Sequence, residues 1–302
     1  MKKILITGGT TFVSKYAAEY FVKQNYEVYV LNRNSRPQVK GVKLIEGDRH
    51  YLGDALKAMH FDVVADITAY DADDIIDLYN ALGSFDQYIM ISSSAVYPEY
   101  GTQPFCEDSE KAENKFWGAY GTNKIAAENV LRERVPDAYI LRPPYLYGPM
   151  NNVYREAFVF DCAIADRKFY LPKDGGMKLQ FFHVRDLCRL IEVIMDKRPA
   201  DHILNVGNVE AVSIRDWVTK CYACLGKKPE FVNVCEDIEQ RNYFSFHDYE
   251  YYLDVQRQNR IYGKTIPLDE GLQEAAAWYL ENEAEVNKKP YFDYIDENIN
   301  GK

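Results

Sequence analysis

The chain has 302 residues, of which 47% are hydrophobic and 27% charged, the balance of a folded globular protein rather than a disordered one. Its net charge of −10 repels phosphate backbones and argues against nucleic acid as the main partner. The start, Met-Lys-Lys-Ile-Leu-Ile-Thr-Gly-Gly, lacks the apolar region and cleavage site of a signal peptide, and no apolar stretch approaches the roughly 20 residues of a membrane span, so the expected location is cytoplasmic.

Lys3–Thr7 reads as a buried strand, and Thr11–Gln24 as a helix with Phe12, Val13, Ala17, Tyr20 and Phe21 near helical spacing. Glu27–Leu31 and Lys43–Glu46 read as strands, Leu52–Met59 as a helix, and Val63–Ile67 as a strand. Ala72–Leu82 (helix), Gln87–Ser92 (strand), Tyr120–Arg134 (helix) and Tyr139–Arg142 (strand) continue the alternation. Buried strands alternating with helices predict an α/β fold: a Rossmann-like, doubly wound parallel sheet with right-handed crossovers. After Gly148-Pro149 the pattern loosens. Asn151–Asp174 holds a helix and a loop, and Leu179–Val184 and His202–Val206 read as strands around a helix at Leu187–Lys197. Helices follow at Ile214–Leu225 and Leu268–Asn282. Residues 1–149 plus 181–208 are expected to form the dinucleotide-binding core, and 150–180 plus 209–302 a smaller, discontinuous C-terminal substrate lobe. The tail Pro290–Lys302 is acidic and bears tyrosines, and reads as partly mobile.

The six cysteines are scattered. Cys221-Tyr-Ala-Cys224 lies in a helical pattern with Ile214, Trp217, Val218 and Leu225, and no second pair stands near it, which favours apolar helix packing over a redox or metal role. The five histidines form no spaced ligand cluster, so no metal is expected.

Ile4–Ser14 runs from strand into helix, and a helix start offers free N–H groups and a positive dipole end to a pyrophosphate. Of the three glycines in the usual fingerprint only the first is kept, as Gly8; Thr11 and Ser14 stand at the other two places. Gly9 and the hydroxyls of Thr10 and Thr11 are possible compensation, and a plain strand-helix turn without ligand is the competing reading. At the end of the second strand, Asn32-Arg33-Asn34-Ser35-Arg36 replaces the ribose-binding acid with arginines, which favours a 2′-phosphate and hence NADP, against a solvated basic loop. Asp48 lies where an acid accepts from the adenine amino group, or serves a turn.

Tyr120 and Lys124 are four residues apart on a helix, about one turn, and so share a face. A free tyrosine has a pKa of about 10, and a lysine beside it is expected to lower that value. A tyrosine so placed exchanges a proton with a sugar or alcohol hydroxyl.

With these motifs the chain resembles the extended short-chain dehydrogenase/reductase family, also called the NAD-dependent epimerase/dehydratase family. The resemblance rests on Thr7-Gly8-Gly9, Gly47-Asp48, Ser92-Ser93-Ser94-Ala95-Val96-Tyr97, Tyr120-x-x-x-Lys124, Leu141-Arg-Pro-Pro-Tyr-Leu-Tyr-Gly-Pro149, Phe182-His-Val-Arg-Asp-Leu187 and Asn205-Val-Gly207. The altered glycine loop is most similar to an atypical branch with sugar-dehydratase-like and chloroplast RNA-binding members. The resemblance implies a catalytic triad of Ser93, Tyr120 and Lys124, with Ser94 as the fallback hydroxyl, and an NADP or NAD coenzyme exchanging hydride with a carbinol carbon. The coenzyme-binding residues it implies are Gly8, Thr10, Thr11, Phe12, Val13, Asn32, Arg33, Arg36, Asp48, Arg49, Ile67, Thr68, Ala69, Tyr120, Lys124 and Pro144, with Ser94 and Tyr145 toward substrate. His183 reads as a structural histidine and Asp186 as a helix N-terminal acid.

Two departures bear on substrate. Leu179 stands where nucleotide-sugar members carry a diphosphate-binding arginine, and Tyr145 replaces a common asparagine; Arg155, Arg167 and Arg257 are the candidates to substitute. The expected function is oxidoreduction or epimerisation of a sugar or nucleotide sugar; the reaction type stays open, as does a homodimer through the helices at Ala72–Leu82 and Tyr120–Arg134. The alternative is a non-catalytic dinucleotide- or RNA-binding protein on the same fold.

Overall fold

The computed structural model describes residues 1–299. The first half alternates as expected: β1 (Lys3–Thr7), α1 (Phe12–Lys23), β2 (Glu27–Asn32), β3 (Lys43–Glu46), β4 (Leu56–Asp66), α2 (Ala72–Ala81), β5 (Leu82–Ile91), α3 (Ala119–Arg134) and β6 (Tyr139–Arg142). There follow β7 (Tyr145–Tyr147), α4 (Glu156–Ile164), β8 (Phe169–Pro172), β9 (Lys178–Leu179), β10 (Phe181–His183), α5 (Val184–Lys197) and β11 (Ile203–Asn205). The described chain ends with β12 (Val212–Ser213), α6 (Ile214–Ala223), β13 (Phe231–Val234), α7 (Gln256–Ile261), α8 (Leu268–Asn282) and α9 (Tyr291–Asn298).

Seven strands form one parallel sheet in the order β11-β6-β5-β4-β1-β2-β3, a Rossmann-like doubly wound arrangement. The strand order reverses between β1 and β4, and at such a point a crevice opens outside the carboxyl ends of the strands. The strands are apolar on both sides because helices cover both sides. Ile4, Ile6, Val28 and Val30 pack beneath α1 and α5, while Leu5, Val64, Tyr88 and Met90 pack beneath α2 and α3. α5 places Val184, Leu187, Cys188, Ile191, Ile194 and Met195 on one buried stripe at steps of one, three and four.

A third core is largely aromatic. Tyr145, Tyr147, Phe158, Phe169, Phe181, Trp217, Phe244 and Phe246 meet there, with Trp217 stacked on Phe181 at 5.6 Å between ring centroids. It draws on α4, α6, α8 and α9 and on the loop before α7.

Several expectations need correction. Leu52–Met59 is not a helix: Gly53 turns the backbone to a φ of +52°, and from Leu56 the chain already pairs with β5. The apolar residues 52, 56 and 59 mimic a helical stripe, but pairing with the next strand decides the outcome. Asn151–Asp174 contains a strand, β8, beside its helix, paired with β13, which was also not expected. Leu179–Val184 is two strands rather than one. β9 runs antiparallel to β12, and β10 runs parallel to β7. Gln180 makes the switch, its buried amide donating to the carbonyls of Asn208 and Leu253 and accepting from the Leu253 N–H. The tail forms α9, which buries Tyr291 and Ile295 in the aromatic core, so it packs on the fold up to residue 299; residues 300–302 lie outside the described residues. Cys221 is fully buried on α6 and its thiol is pushed up by burial, as packing requires.

Candidate active site

Tyr120, Lys124 and Glu128 occupy successive turns of one face of α3. Glu128 anchors that face. Its carboxylate accepts from Arg142 Nε and Nη2 at 2.8 and 2.7 Å and from the Ser92 hydroxyl at 2.6 Å. Burial works to raise the Glu128 pKa, but the Arg142 hydrogen bonds and charge outweigh it and hold the acid ionised. This ion pair locks α3 to β6, so Tyr120 and Lys124 are delivered to the carboxyl edge of the sheet in a fixed register.

The three serines after β5 divide the work. Ser92 serves Glu128, Ser93 accepts from the Ala95 N–H at 3.1 Å and caps the turn that follows, and Ser94 lines the cavity beside Tyr251. Ser93, Ser94, Tyr120, Lys124, Pro144 and Tyr145 all line one cavity of about 440 Å³, together with Phe12, Val13 and Ile67. Tyr120 is 41% exposed as a residue. Loss of hydration around its hydroxyl nonetheless pushes its pKa up, with the nearby Ser93 side chain pulling the other way. Lys124 is buried and pushed down to about 8 by burial. Its ammonium donates to the carbonyls of Ala69 and Ile91 at 2.5 and 2.9 Å and sits 5.9 Å from the centre of the Tyr120 ring. The expectation that Lys124 lowers the Tyr120 pKa is therefore corrected: two backbone carbonyls take the lysine, and desolvation dominates the phenol. An ammonium has three N–H donors, so one is left for the cavity.

Gly8, Thr10, Thr11, Asn32, Arg33, Asp48, Arg49 and Thr68 line a second cavity of about 350 Å³, at the switch point between β1 and β4. The helix start fits an anion. Thr11, the N-cap of α1, makes no side-chain cap bond, so the first N–H groups of the helix stay available. The missing third glycine has a structural answer. Ser14 tucks its hydroxyl onto the Thr11 carbonyl at 3.0 Å, and a Cβ on Gly8 would meet that hydroxyl at 2.7 Å, so Gly8 is required where Ser14 is tolerated. These features fit a dinucleotide phosphate.

Not every expected residue faces a cavity. Arg36 lines neither, and Ala69 contributes its carbonyl to Lys124. Arg49 touches the second cavity but its guanidinium is engaged by Asp66 at 2.7 Å, by the Thr68 carbonyl at 3.2 Å and by Asp74 at 3.3 Å. Asn32 donates to the Gly8 carbonyl at 2.6 Å, and Asp48 caps the turn Arg49–Tyr51 by accepting from His50 N–H. His183 is fully buried and caps α5, its ring pushed down to about 3 by burial and neighbouring arginines, which keeps it neutral. Asp186 accepts from the Tyr262 hydroxyl and the Ile266 N–H.

Of the three candidate arginines, Arg167 pairs with Asp296, and Arg257 with Asp108 and Glu107. Arg155 lines the first cavity, its guanidinium 5.0 Å over the Tyr145 ring. Its charge reaches Lys289, which burial, Arg241 and Arg155 together push down. No carboxylate forms an ion pair with Arg155, Arg241 or Lys289 among the described residues. Sequence reasoning missed Tyr70, Trp117, Val153 and Tyr251 in the cavity wall. Tyr251 comes from a distant loop and carries no local signal; Tyr70 was visible as a large aromatic directly after Ala69. A larger cavity of about 830 Å³, around Val212, Lys220 and Asp269, shares no lining residue with either site. His60, Asp62 and Asp86 approach one another on the paired strands β4 and β5, away from both cavities.

The resemblance is borne out by comparison. Residues 62–207 match the family model described as NAD dependent epimerase/dehydratase family. The chain is 27% identical over 286 residues to the chloroplast stem-loop binding protein of 41 kDa b of Arabidopsis thaliana, covering 87% of this chain and 74% of that protein. Among solved structures it is similar to dTDP-glucose 4,6-dehydratase of Bacillus anthracis in complex with NAD, with a TM-score of 0.75 and 19% identity over 95% of this chain and 99% of that one. It is also similar to UDP-glucuronic acid 4-epimerase of Bacillus cereus in complex with UDP-glucuronic acid and NAD, with a TM-score of 0.73 and 19% identity over 92% of this chain and 99% of that one.

Proposed function

We propose that this chain, similar to the NAD-dependent epimerases and dehydratases, is an enzyme that oxidises a carbinol carbon of a nucleotide sugar with NAD or NADP as hydride carrier. The observation that carries the reading is the convergence of Ser93, Tyr120 and the buried Lys124 on one cavity, which lies next to an anion-ready helix start. When bound, the nicotinamide takes up the hydride of the carbinol carbon. Tyr120 would receive the hydroxyl proton as a phenolate, having first given its own proton to solvent as the positive charges of the nicotinamide and Lys124 offset its desolvation; Ser93 would hold the same oxygen as its charge develops, and the spare N–H of Lys124 would bind a ribose hydroxyl. Residues 150–180 and 209–302 act as the substrate lobe in this reading.

Arg155, which lines the cavity and has no carboxylate ion-pair partner among the described residues, supplies the positive end for the substrate's diphosphate, in place of the arginine missing at Leu179. Arg33 is the group we assign to a coenzyme 2′-phosphate. A second copy on α2 and α3 belongs to the same reading and is checked by the mass in solution.

The test is Tyr120→Phe, assayed with UDP- and dTDP-sugars for coenzyme reduction and for product by mass spectrometry. Turnover is expected to fall about 10²–10⁴-fold while coenzyme affinity stays within about twofold. Turnover retained by the phenylalanine variant refutes the acid/base role. The first relative's name raises an RNA reading. Salt-sensitive retention of a stem-loop RNA without dinucleotide affinity would replace the enzyme reading.

A further inference from the structure

Among the described residues, Tyr70 is the one residue that lines both cavities. It follows β4 and precedes α2, and its backbone is fixed. Its N–H donates to the Asp74 carboxylate at 2.6 Å, and Asp74 is held by Arg49 at 3.3 Å. The side chain is not used by the fold. It is 55% exposed, and its hydroxyl has no hydrogen bond among the described residues. The ring faces the Lys124 ammonium at 5.2 Å, nearer than the Tyr120 ring at 5.9 Å. A large aromatic left half in water at the junction of two cavities has apolar surface still to bury, and a ligand spanning both cavities must pass it.

We propose that Tyr70 is a positioning residue that closes over the coenzyme where it passes from the mononucleotide cavity to the catalytic cavity, its ring against the nicotinamide ribose that Lys124 holds. The inference rests on the coenzyme reading above and extends it to a residue that no sequence motif marks. Burying the ring against the ligand slows departure more than arrival, because most affinity differences within one site appear in the dissociation rate. The ring also covers the Lys124 ammonium and keeps water from its free N–H.

The experiment is stopped-flow displacement of NADH and NADPH, followed by energy transfer from Trp117, which lies in the cavity wall. Tyr70→Ala and Tyr70→Leu are expected to raise the dissociation rate about tenfold or more, while Tyr70→Phe stays within about twofold of the native chain. In steady state, the coenzyme KM rises in the first two variants and kcat at saturation changes less than about threefold. A Tyr70→Ala dissociation rate within about twofold of native overturns the inference and leaves the enzyme reading standing. A native chain that binds neither dinucleotide overturns both.

Discussion

The two cavities are walled by polar groups of similar burial and opposite economy. Behind the mononucleotide cavity, Asp66 is fully buried and fully used: it accepts from Thr7 and Arg49 at 2.7 Å and from the Tyr88 hydroxyl at 2.6 Å. Behind the cavity lined by Tyr120, Lys124 is equally buried but has no carboxylate partner within ion-pair distance among the described residues, keeps one donor free, and is pushed down to about 8 by burial. The difference separates scaffold from site. Where buried charge is neutralised within the chain it holds the sheet together; where it is left over, something from outside is expected to complete it.

The largest effect should come from the scaffold side. Asp66→Asn removes the charge that faces the buried Arg49 and leaves that guanidinium with only Asp74 and one carbonyl. Breaking one side of a buried pair costs about 3–5 kcal/mol, so urea unfolding should show a loss of that order, with the protein at the edge of folding at 37 °C. A loss below about 1 kcal/mol would erase the distinction drawn between the two cavities.

Lys124→Met probes the other side. Lysine's ordinary pKa of about 10.4 is that of the unfolded chain, and the folded value is about 8. The unfolded state therefore holds the proton more tightly, and burying the charge destabilises the native state fully below about pH 8. That penalty fades as pH rises from about 8 toward the unfolded value. The methionine variant also loses two carbonyl bonds, but that loss does not vary with pH. The difference in unfolding free energy between variant and native chain should thus shift steadily in favour of the native chain between pH 7 and 9.5. A difference that stays flat with pH would mean Lys124 is not a buried charge. Coenzyme affinity of the native chain should fall over the same range as the ammonium is lost.

Much of this was legible in the sequence, and the reason is local. β1, β3, β6 and α8 were read to the residue because a short apolar run or stripe between polar turns has one way to be buried. That Tyr120 and Lys124 share a face was legible because helix periodicity places them without long-range information, whereas Ser93 was implied only by the family resemblance. The failures are non-local. β8 and β13 exist because they pair with each other across some 60 residues, and β9 and β10 separate because Gln180 is held by residues 208 and 253. The sequence could not single out Arg155 from Arg167 and Arg257, because its setting comes from Tyr145 and Phe246, the latter far along the chain. In the glycine loop the sequence showed only that Ser14 replaces the third glycine; that Gly8 leaves room for the Ser14 hydroxyl is visible only in three dimensions.

The smallest effect is expected at the rim of the mononucleotide cavity. Arg33 lines that cavity, is exposed, and has no ion-pair partner among the described residues, whereas Arg36 lies outside it. An exposed guanidinium meeting a phosphate is screened by solvent, so its contribution is modest, about 0.2–1 kcal/mol. Arg33→Ala should therefore weaken NADP binding by up to about fivefold and leave NAD binding unchanged, while Arg36→Ala should alter neither. Titration calorimetry at low salt gives the four constants, and the NADP effect should shrink further as salt is added. Equal losses for both coenzymes would mean that Arg33 touches a part they share, the adenine or the pyrophosphate, and the preference for a 2′-phosphate would have no residue left to carry it.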